Sequence, residues 1–258
     1  SLPTQDPHFV DARPSLALEL NKADLLLVVG LELEQGWLPP LLTGARNGRI
    51  QPGAEGYLDC SQFARLLDVP QVPVDRRMGD VHSGGNPHYL FDPRNGAAIA
   101  RGLTERLAAI DPPHAAAYRE NLARFSARLD SARAGWEKRL AAVRGAPVVS
   151  YHKSWPYLAE WLGLVEVEFV EPKPGIPPTP SHVAKVLTKA RARGAKAILQ
   201  ESFYADSTTR ILAERLPAQL LRLPGGADFR AGQGYVEHLE GVVSQLEKAF
   251  GPAQEAQR

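Results

Sequence analysis

Cysteine is nearly absent from this sequence, because Cys60 is the only one among 258 residues. A lone cysteine excludes an intramolecular disulfide and a zinc cluster built from several thiolates. An excess of charge of one sign is missing too, since 30 basic residues stand against 29 acidic ones and leave a net charge of +1. Nucleic acids and anionic membranes favour basic surfaces, so we expect neither as a partner.

Long apolar runs and a targeting segment are also missing. The longest apolar candidates, such as DLLLVVGL at residues 24–31, have the length of a strand and are too short to span a membrane. The first residues, SLPTQDPHF, read as a loop without the features of a signal peptide. We therefore expect a processed or truncated start from which any targeting segment has been lost.

Short apolar runs alternate with helical patterns along the chain. In the first half the pattern predicts a helix at 14–23, a strand at 24–29, a short helix at 35–42 broken at Pro39-Pro40, short strands and loops at 43–80, and a helix from Asp92-Pro93 to about Ile110. In the second half it predicts strands at 148–151, 165–170, 197–200 and 219–223, and helices at 155–162, 180–193, 207–216 and 235–250. This order is typical of an α/β fold with parallel sheets and helices on both faces.

A single long helix is predicted between the two halves, from His114 to Arg144. Its apolar residues follow one another at steps of three and four, which places them on one face: Tyr118, Leu122, Phe125, Leu129, Ala132, Trp136, Leu140 and Val143. Such a helix would be about 45 Å long at ~1.5 Å per residue. The average globular helix has only about 11–12 residues, so a connection between two lobes explains this one better than a place inside one lobe.

Four side chains are candidates for a ligand-binding site. In open α/β sheets, ligands bind beyond the carboxyl ends of the strands. His152 directly follows VVSY and Glu201 directly follows AILQ, which puts both at such ends. His8 in QDPHF and His88 in GNPHY lie in loops, each after a proline that restricts the backbone. From the pattern alone, ordinary solvated or buried side chains remain the alternative for each.

The other histidines carry weaker signals. His82 in DVHSGGNPH is near enough to His88 in sequence to be its hydrogen-bonding partner, and a solvated loop residue is the alternative. His114, His182 and His238 lie on or at the ends of predicted helices, and we interpret them as surface residues.

Several motifs together identify a family. GNPHYLFDP, SYHKSW, EPKPGIPPTPSH and LQESFY occur in this order around the long helix. They resemble the TroA-like zinc- and manganese-binding receptors of bacterial ABC transporters, and the resemblance covers essentially the whole chain. It implies two α/β lobes with parallel sheets, joined by one long rigid helix, and a metal site in the cleft between the lobes. By position it gives an N-terminal lobe at 1–112, a connecting helix at 113–145 and a C-terminal lobe at 146–258.

The same resemblance implies the metal ligands. Three histidine ligands of the family correspond to His8, His88 and His152, each within its matching motif. The fourth ligand in the family is a carboxylate or a further histidine, and Glu201 matches one such position. Asp228, in the later LPGGADF loop, is the alternative fourth ligand.

Two features depart from the family pattern. Only seven residues precede His8, where relatives usually carry another strand and helix. The N-terminal lobe therefore lacks its usual first βα unit, or the chain shown is incomplete. The loop rich in histidine and acidic residues that many zinc receptors carry is absent, so its auxiliary role does not carry over.

The resemblance predicts a periplasmic or otherwise extracytoplasmic monomer that captures a divalent metal and delivers it to the membrane permease of an ABC transporter. Three imidazoles and one carboxylate suit Zn²⁺, whereas Mn²⁺ prefers more oxygen ligands. A manganese receptor, a zinc-dependent hydrolase and an adhesin-like role are the alternatives. The sequence lacks an HExxH helix, a GxGxxG motif and a Walker A loop, which argues against enzymes that depend on them.

Overall fold

A computed structural model of the chain describes residues 2–73, 79 and 81–251. The chain forms two compact units. The first comprises Gln5–Pro73 and His82–Asp130, and the second comprises residues 2–4, 79, 81 and 131–251. Within these described ranges, no helix has both the length and the hydropathy needed to cross a lipid bilayer.

The first unit contains a small parallel sheet of two strands, β1 (Leu26–Val28) and β2 (Tyr57–Asp59). Three helices belong to this unit: α1 (Pro14–Asn21), α2 (Leu38–Ala45) and α3 (Pro93–Ile110). Apolar side chains of β1, α2 and a 3-10 turn form its core: Val28, Leu38, Leu42 and Ile50. The strand predicted at 24–29 is confirmed as β1, although it is shorter than predicted: its three residues pair with the three residues of β2.

Helix α2 corrects one prediction. Pro39 and Pro40 do not break a helix at 35–42, because they lie in the first turn of a helix that begins at Leu38. Backbone N–H groups of the first turn have no partner within the helix, so a proline costs little there and its fixed φ suits the helix. The two prolines therefore mark the start of α2.

Helix α4 (Ala115–Arg139) is, with 25 residues, the longest helix in the described part of the chain. Its sequence runs from the first unit into the second, with the boundary between Asp130 and Ser131. The predicted apolar face is present, since Leu129 and Trp136 are each only 1% exposed. The helix ends before the predicted Arg144, because the chain tightens into a 3-10 turn at Ala141–Val143. A spacing of three residues between apolar positions fits a 3-10 turn as well as an α-helix, so the sequence pattern could not distinguish the two.

The second unit is built on a parallel sheet of four strands in the order β4-β3-β5-β6. The strands are β3 (Pro147–Ser150), β4 (Val165–Phe169), β5 (Ala197–Glu201) and β6 (Gln219–Leu223). Its helices are α5 (Pro156–Leu162), α6 (Pro180–Arg193), α7 (Ser207–Arg215) and α8 (Tyr235–Phe250). Each predicted strand and helix of this half is present, with boundaries within two residues of the prediction.

Both faces of this sheet are covered. Val149 and Ile198 form one core with Val186 of α6 and Leu212 of α7. Side chains alternate along a strand, so the neighbouring Val148 and Leu199 point to the opposite face, and they too are completely buried. Helix α5 packs against β4, and α8 packs against β6. The predicted class, parallel sheets with helices on both faces, is confirmed.

Two predicted helix starts are confirmed by their caps. The Asp92 carboxylate accepts a hydrogen bond from the Arg94 backbone N–H at 2.8 Å at the start of α3. The Thr179 hydroxyl accepts one from the His182 backbone N–H at 3.3 Å at the start of α6. In each case a proline occupies the next position, where its missing N–H is not needed.

Candidate functional site

His8 is held in the first unit by its own loop. Its backbone N–H and its ring Nδ1 both donate to Asp6 Oδ1, at 2.9 and 2.7 Å. The indole N–H of Trp37 donates to the carbonyl oxygen of Pro7 at 2.9 Å and fixes the loop against the start of α2. An ionised carboxylate only accepts hydrogen bonds, so Nδ1 of His8 carries a proton, and in the neutral ring Nε2 keeps the lone pair for a ligand.

His88 is held next to His8 in the same unit, with the ring centroids 5.5 Å apart. Its backbone N–H donates to the side-chain oxygen of the buried Asn86 at 2.9 Å. The following residue, Tyr89, is completely buried and donates its hydroxyl proton to the carbonyl oxygen of Val29, directly after β1. These contacts place the loop of His88 near the carboxyl end of β1.

His82 also lies next to His8. The two rings are stacked with centroids 5.3 Å apart, and their Nε2 atoms are 3.3 Å apart. The neighbouring Ser83 donates its backbone N–H and its hydroxyl to the Glu32 carboxylate, at 2.9 and 2.6 Å. These hydrogen bonds, above all that of the hydroxyl, hold the pKa of Glu32 below its usual value. The ring of His82 contacts that of His8, and the partnership with His88 that the sequence suggested stays a prediction.

His152 is fixed in the second unit by a buried carboxylate. It follows β3 by two residues, is 4% exposed, and its Nδ1 donates to Glu171 Oε2 at 2.7 Å. Glu171 follows β4, is 7% exposed, and also accepts the backbone N–H of Gly175 at 3.1 Å. The carboxylate therefore fixes the ring and its tautomer, which leaves Nε2 of His152 as the ligand atom.

Glu201 is the last residue of β5 and is 1% exposed. The Tyr204 ring lies over this region, with its centroid 4.8 Å from that of Tyr151 and 5.9 Å from that of His152. Burial raises the pKa of the Tyr151 phenol, and the carboxylates of Glu171 and Glu201 raise it further. Two buried carboxylates thus lie at the carboxyl end of this sheet, where the sequence predicted one.

Asp228 lies in the loop after β6 and is half-buried. Its Oδ1 accepts the backbone N–H of Ala231 at 3.1 Å and caps the 3-10 turn Phe229–Ala231. Its backbone N–H donates to the side-chain oxygen of Gln233 at 2.9 Å. One oxygen of Asp228 is therefore used in local structure.

The remaining histidines behave differently from one another. His114 has 69% of its side chain exposed, as predicted, and pairs with Asp111. His182 is half-buried, and its Nε2 lies 3.0 Å from the carbonyl oxygen of Phe169. His238 corrects the prediction of a surface residue, since it is 4% exposed and burial lowers its pKa to about 4. It precedes Val242 by one helical turn and shares the buried face of α8.

Sequence reasoning missed the two carboxylates that orient the histidines. Asp6 stands two residues before His8, so its position was a usable signal. Glu171 is 19 residues from His152 and opens the proline segment that we interpreted as a stiff connector. Only the pairing of β3 with β4 brings Glu171 and His152 together.

Cys60 is a buried free thiol of the first unit. The thiol is 8% exposed, and burial raises its pKa to about 11, with Asp59 and Glu34 adding to the effect. Only the thiolate is a good metal ligand, and a thiol with this pKa stays protonated at neutral pH.

Together, the parallel α/β units and the carboxylate-oriented imidazoles define the class as an α/β metal-binding protein. Comparison with known proteins narrows this class to a family. Residues 2–249 match the ZnuA family, described as the periplasmic component A of a zinc-uptake complex. The chain therefore belongs to the ZnuA family of extracytoplasmic substrate-binding proteins of metal ABC transporters.

Individual relatives agree with this assignment. The chain is 25% identical to the high-affinity zinc uptake system protein ZnuA of Paracoccus denitrificans, over 95% of this chain and 82% of that protein. It is 20% identical to PsaA of Streptococcus pneumoniae, a manganese ABC transporter substrate-binding lipoprotein, over 81% of this chain and 66% of PsaA. A crystal structure of ZnuA has the same fold, with a TM-score of 0.78, 21% identity and coverage of 96% of this chain and 87% of that one.

Proposed function

We propose that this protein captures one divalent transition metal ion, zinc in preference to manganese, and delivers it to the membrane permease of an ABC transporter. The observation that carries the proposal is the same in each unit: a histidine with Nδ1 donating to a carboxylate. His8 has Asp6, and His152 has the buried Glu171, both at 2.7 Å. This arrangement is characteristic of histidines that bind metals through Nε2.

The proposed ligand set consists of His8, His88 and His152, with Glu201 as the fourth ligand. His8 and His88 belong to the first unit, and His152 and Glu201 to the second. The family motifs around the three histidines support the choice, and the burial of Glu201 at the end of β5 supports a carboxylate there.

Zinc is favoured over manganese by the ligand chemistry. Three neutral imidazoles and one carboxylate suit the tetrahedral coordination of Zn²⁺, while Mn²⁺ prefers a larger share of oxygen ligands. The relatives include both a zinc uptake protein and a manganese lipoprotein, so their names leave the cargo open. A second carboxylate, from Asp228, would favour manganese.

A receptor that binds and releases its cargo without chemistry explains the residues better than a zinc hydrolase. A hydrolytic zinc site generally has three protein ligands, an open position for water and a general base. The proposed set fills the fourth position with a carboxylate. We further propose that the protein is a periplasmic monomer, with lobes at 1–112 and 146–258 joined by the segment 113–145, which contains α4.

Calorimetric titration of the chelator-treated protein tests the proposal. We expect about one Zn²⁺ per chain and much weaker binding of Mn²⁺ under the same conditions. His114→Ala is the matched control, because this exposed histidine also pairs with an aspartate and should leave binding unchanged. Absence of zinc binding, or tighter binding of manganese than of zinc, would contradict the assignment. Turnover of an ester by the zinc-loaded protein would favour the hydrolase.

A further inference from the structure

His82 is a histidine for which the proposed ligand set has no role. It belongs to the first unit and is half-buried in the loop before His88. Its Nε2 lies 3.3 Å from Nε2 of His8. Nδ1 of His8 already donates to Asp6, so the Nε2 atom that faces His82 is the one that carries a lone pair.

The distance between these two nitrogens suits a shared metal ion. Nitrogen ligands of tetrahedral zinc lie about 2.0–2.1 Å from the metal, which places two of them about 3.3–3.4 Å from each other. The observed 3.3 Å matches the separation of two such ligands, and in the metal-free protein it also allows an N–H···N hydrogen bond between the rings.

The loop of His82 is built to hold this position. The Glu32 carboxylate accepts both the backbone N–H and the hydroxyl of Ser83, directly after His82. Glu32 has a left-handed backbone, with φ of 68°, and so does Leu31, with φ of 53°. Such a conformation is strained in residues other than glycine and is common at functional sites.

The next residue of the loop is restricted as well. A Cβ atom at Gly84 would lie 2.8 Å from Cδ2 of Leu31, so a larger residue there would displace the Leu31 side chain. The left-handed segment at Leu31 and Glu32 thus holds Ser83 and Gly84, and through them His82 beside His8.

We propose that His82 is a further metal ligand, which binds the cargo ion jointly with His8 and adds a fifth protein ligand to the proposed set, a coordination number that Zn²⁺ can reach. The inference rests on the proposed function and deepens it, because it gives the first unit a nitrogen pair of its own. His88 lies next to His8 in the same unit, so the first unit offers three imidazoles around one residue. An ion can then be held by the first unit when ligands of the second unit are missing.

Zinc titrations of four full-length proteins test the inference: the unaltered chain, His82→Ala, His152→Ala, and the double variant. We expect His152→Ala to bind zinc more weakly than the unaltered chain. Adding His82→Ala should reduce the remaining affinity by at least about 10- to 100-fold, because the loss of a mere hydrogen-bond partner of a ligand already costs that much. X-ray absorption of the zinc-loaded single variant His82→Ala should also show fewer imidazole ligands than the unaltered chain.

The outcomes separate the two proposals. If the unaltered chain binds no zinc, the proposed function is wrong. A second outcome is that the unaltered chain binds zinc and His82→Ala has no effect. The zinc affinity would then be unchanged by His82→Ala both alone and in the His152→Ala variant, and so would the number of imidazole ligands. In that case the role of His82 is wrong and the receptor function stands. His82→Gln provides a second variant of similar size, and His114→Ala in the His152→Ala background controls for the loss of any histidine.

Discussion

Glu171 and His152 form a buried pair in which the carboxylate decides what the imidazole can do. The hydrogen bond from Nδ1 to Glu171 Oε2 fixes the ring and makes Nε2 the ligand atom. The same oxygen accepts the backbone N–H of Gly175, which orders the start of the proline segment. Glu171 is therefore a positioning residue, and its contribution passes through His152.

Removal of this carboxylate tests that role. We expect Glu171→Ala to weaken zinc binding by about 10- to 100-fold, as is usual when the hydrogen-bond partner of a metal-binding histidine is lost. Glu171→Gln should recover part of the loss, because its amide oxygen still accepts the Nδ1 proton. Glu168→Ala, on the strand β4 that precedes Glu171, is the control, since that carboxylate pairs with Lys189. Equal affinity of Glu171→Ala and Glu168→Ala would contradict the positioning role.

The choice of the fourth ligand is also made at the residue scale. Glu201 is 1% exposed at the end of β5, whereas Asp228 uses one oxygen to cap a 3-10 turn. We expect Glu201→Ala to lose zinc affinity as His152→Ala does, and Asp228→Ala to bind nearly normally. Thermal unfolding of each metal-free variant separates lost coordination from lost structure, because loss of a cap alone costs about 1 kcal/mol. The reverse pattern would make Asp228 the ligand, and a loss in both would favour manganese.

Among the helices of the second unit, two glycines have opposite roles. Gly194 ends α6 with φ of 65°, a left-handed conformation that disfavours a side chain. Gly241 lies inside α8, where glycine lowers helix stability. A Cβ atom at either position would meet nothing within 4 Å, so packing does not complicate the comparison.

Alanine substitutions at these two positions should change stability in opposite directions. We expect Gly194→Ala to lower the free energy of unfolding by about 1 kcal/mol, through strain at the helix end. Gly241→Ala should raise it by about 0.5–1 kcal/mol, because alanine restricts the unfolded chain and favours the helix. Urea unfolding monitored by circular dichroism measures both, and a shift in the same direction for the two variants would contradict the argument.

The stability of the whole molecule should depend on pH through His238. This residue is 4% exposed, and burial lowers its pKa to about 4, whereas an unfolded histidine has a pKa of about 6.5. The folded state therefore binds fewer protons between these two values. The stabilisation is fully present above pH 6.5 and is lost progressively as the pH falls toward 4.

Comparison with a variant isolates this contribution. Between pH 7.5 and pH 5, the unaltered chain should lose about 2 kcal/mol more unfolding free energy than His238→Leu, at about 1.4 kcal/mol per pH unit below 6.5. Denaturant unfolding of both metal-free proteins at the two pH values measures the difference. Parallel losses in the two proteins would show that His238 does not titrate on unfolding.

Local pattern alone determined most of the fold of the second unit. The alternation of aliphatic strands and amphipathic helices gave its elements and their parallel order, and Asp92 and Thr179 marked helix starts through caps that are local by nature. The apolar steps of three and four gave the buried face of α4. Such signals lie within one or two turns of the chain, so the sequence carries them without reference to the fold. The family motifs identified His8, His88 and His152 as candidate ligands, which stays a prediction.

Tertiary structure decided the features that depend on residues far apart in sequence. His82 meets His8 across 74 residues, and Glu171 meets His152 through the pairing of two strands. Whether Pro39 and Pro40 break a helix or begin one depended on where α2 starts, and the end of α4 depended on a tighter turn with the same apolar spacing. Periodicity states which face of an element is apolar. Which polar groups meet at the ends of strands is set by packing and strand register, and these exist only in the folded chain.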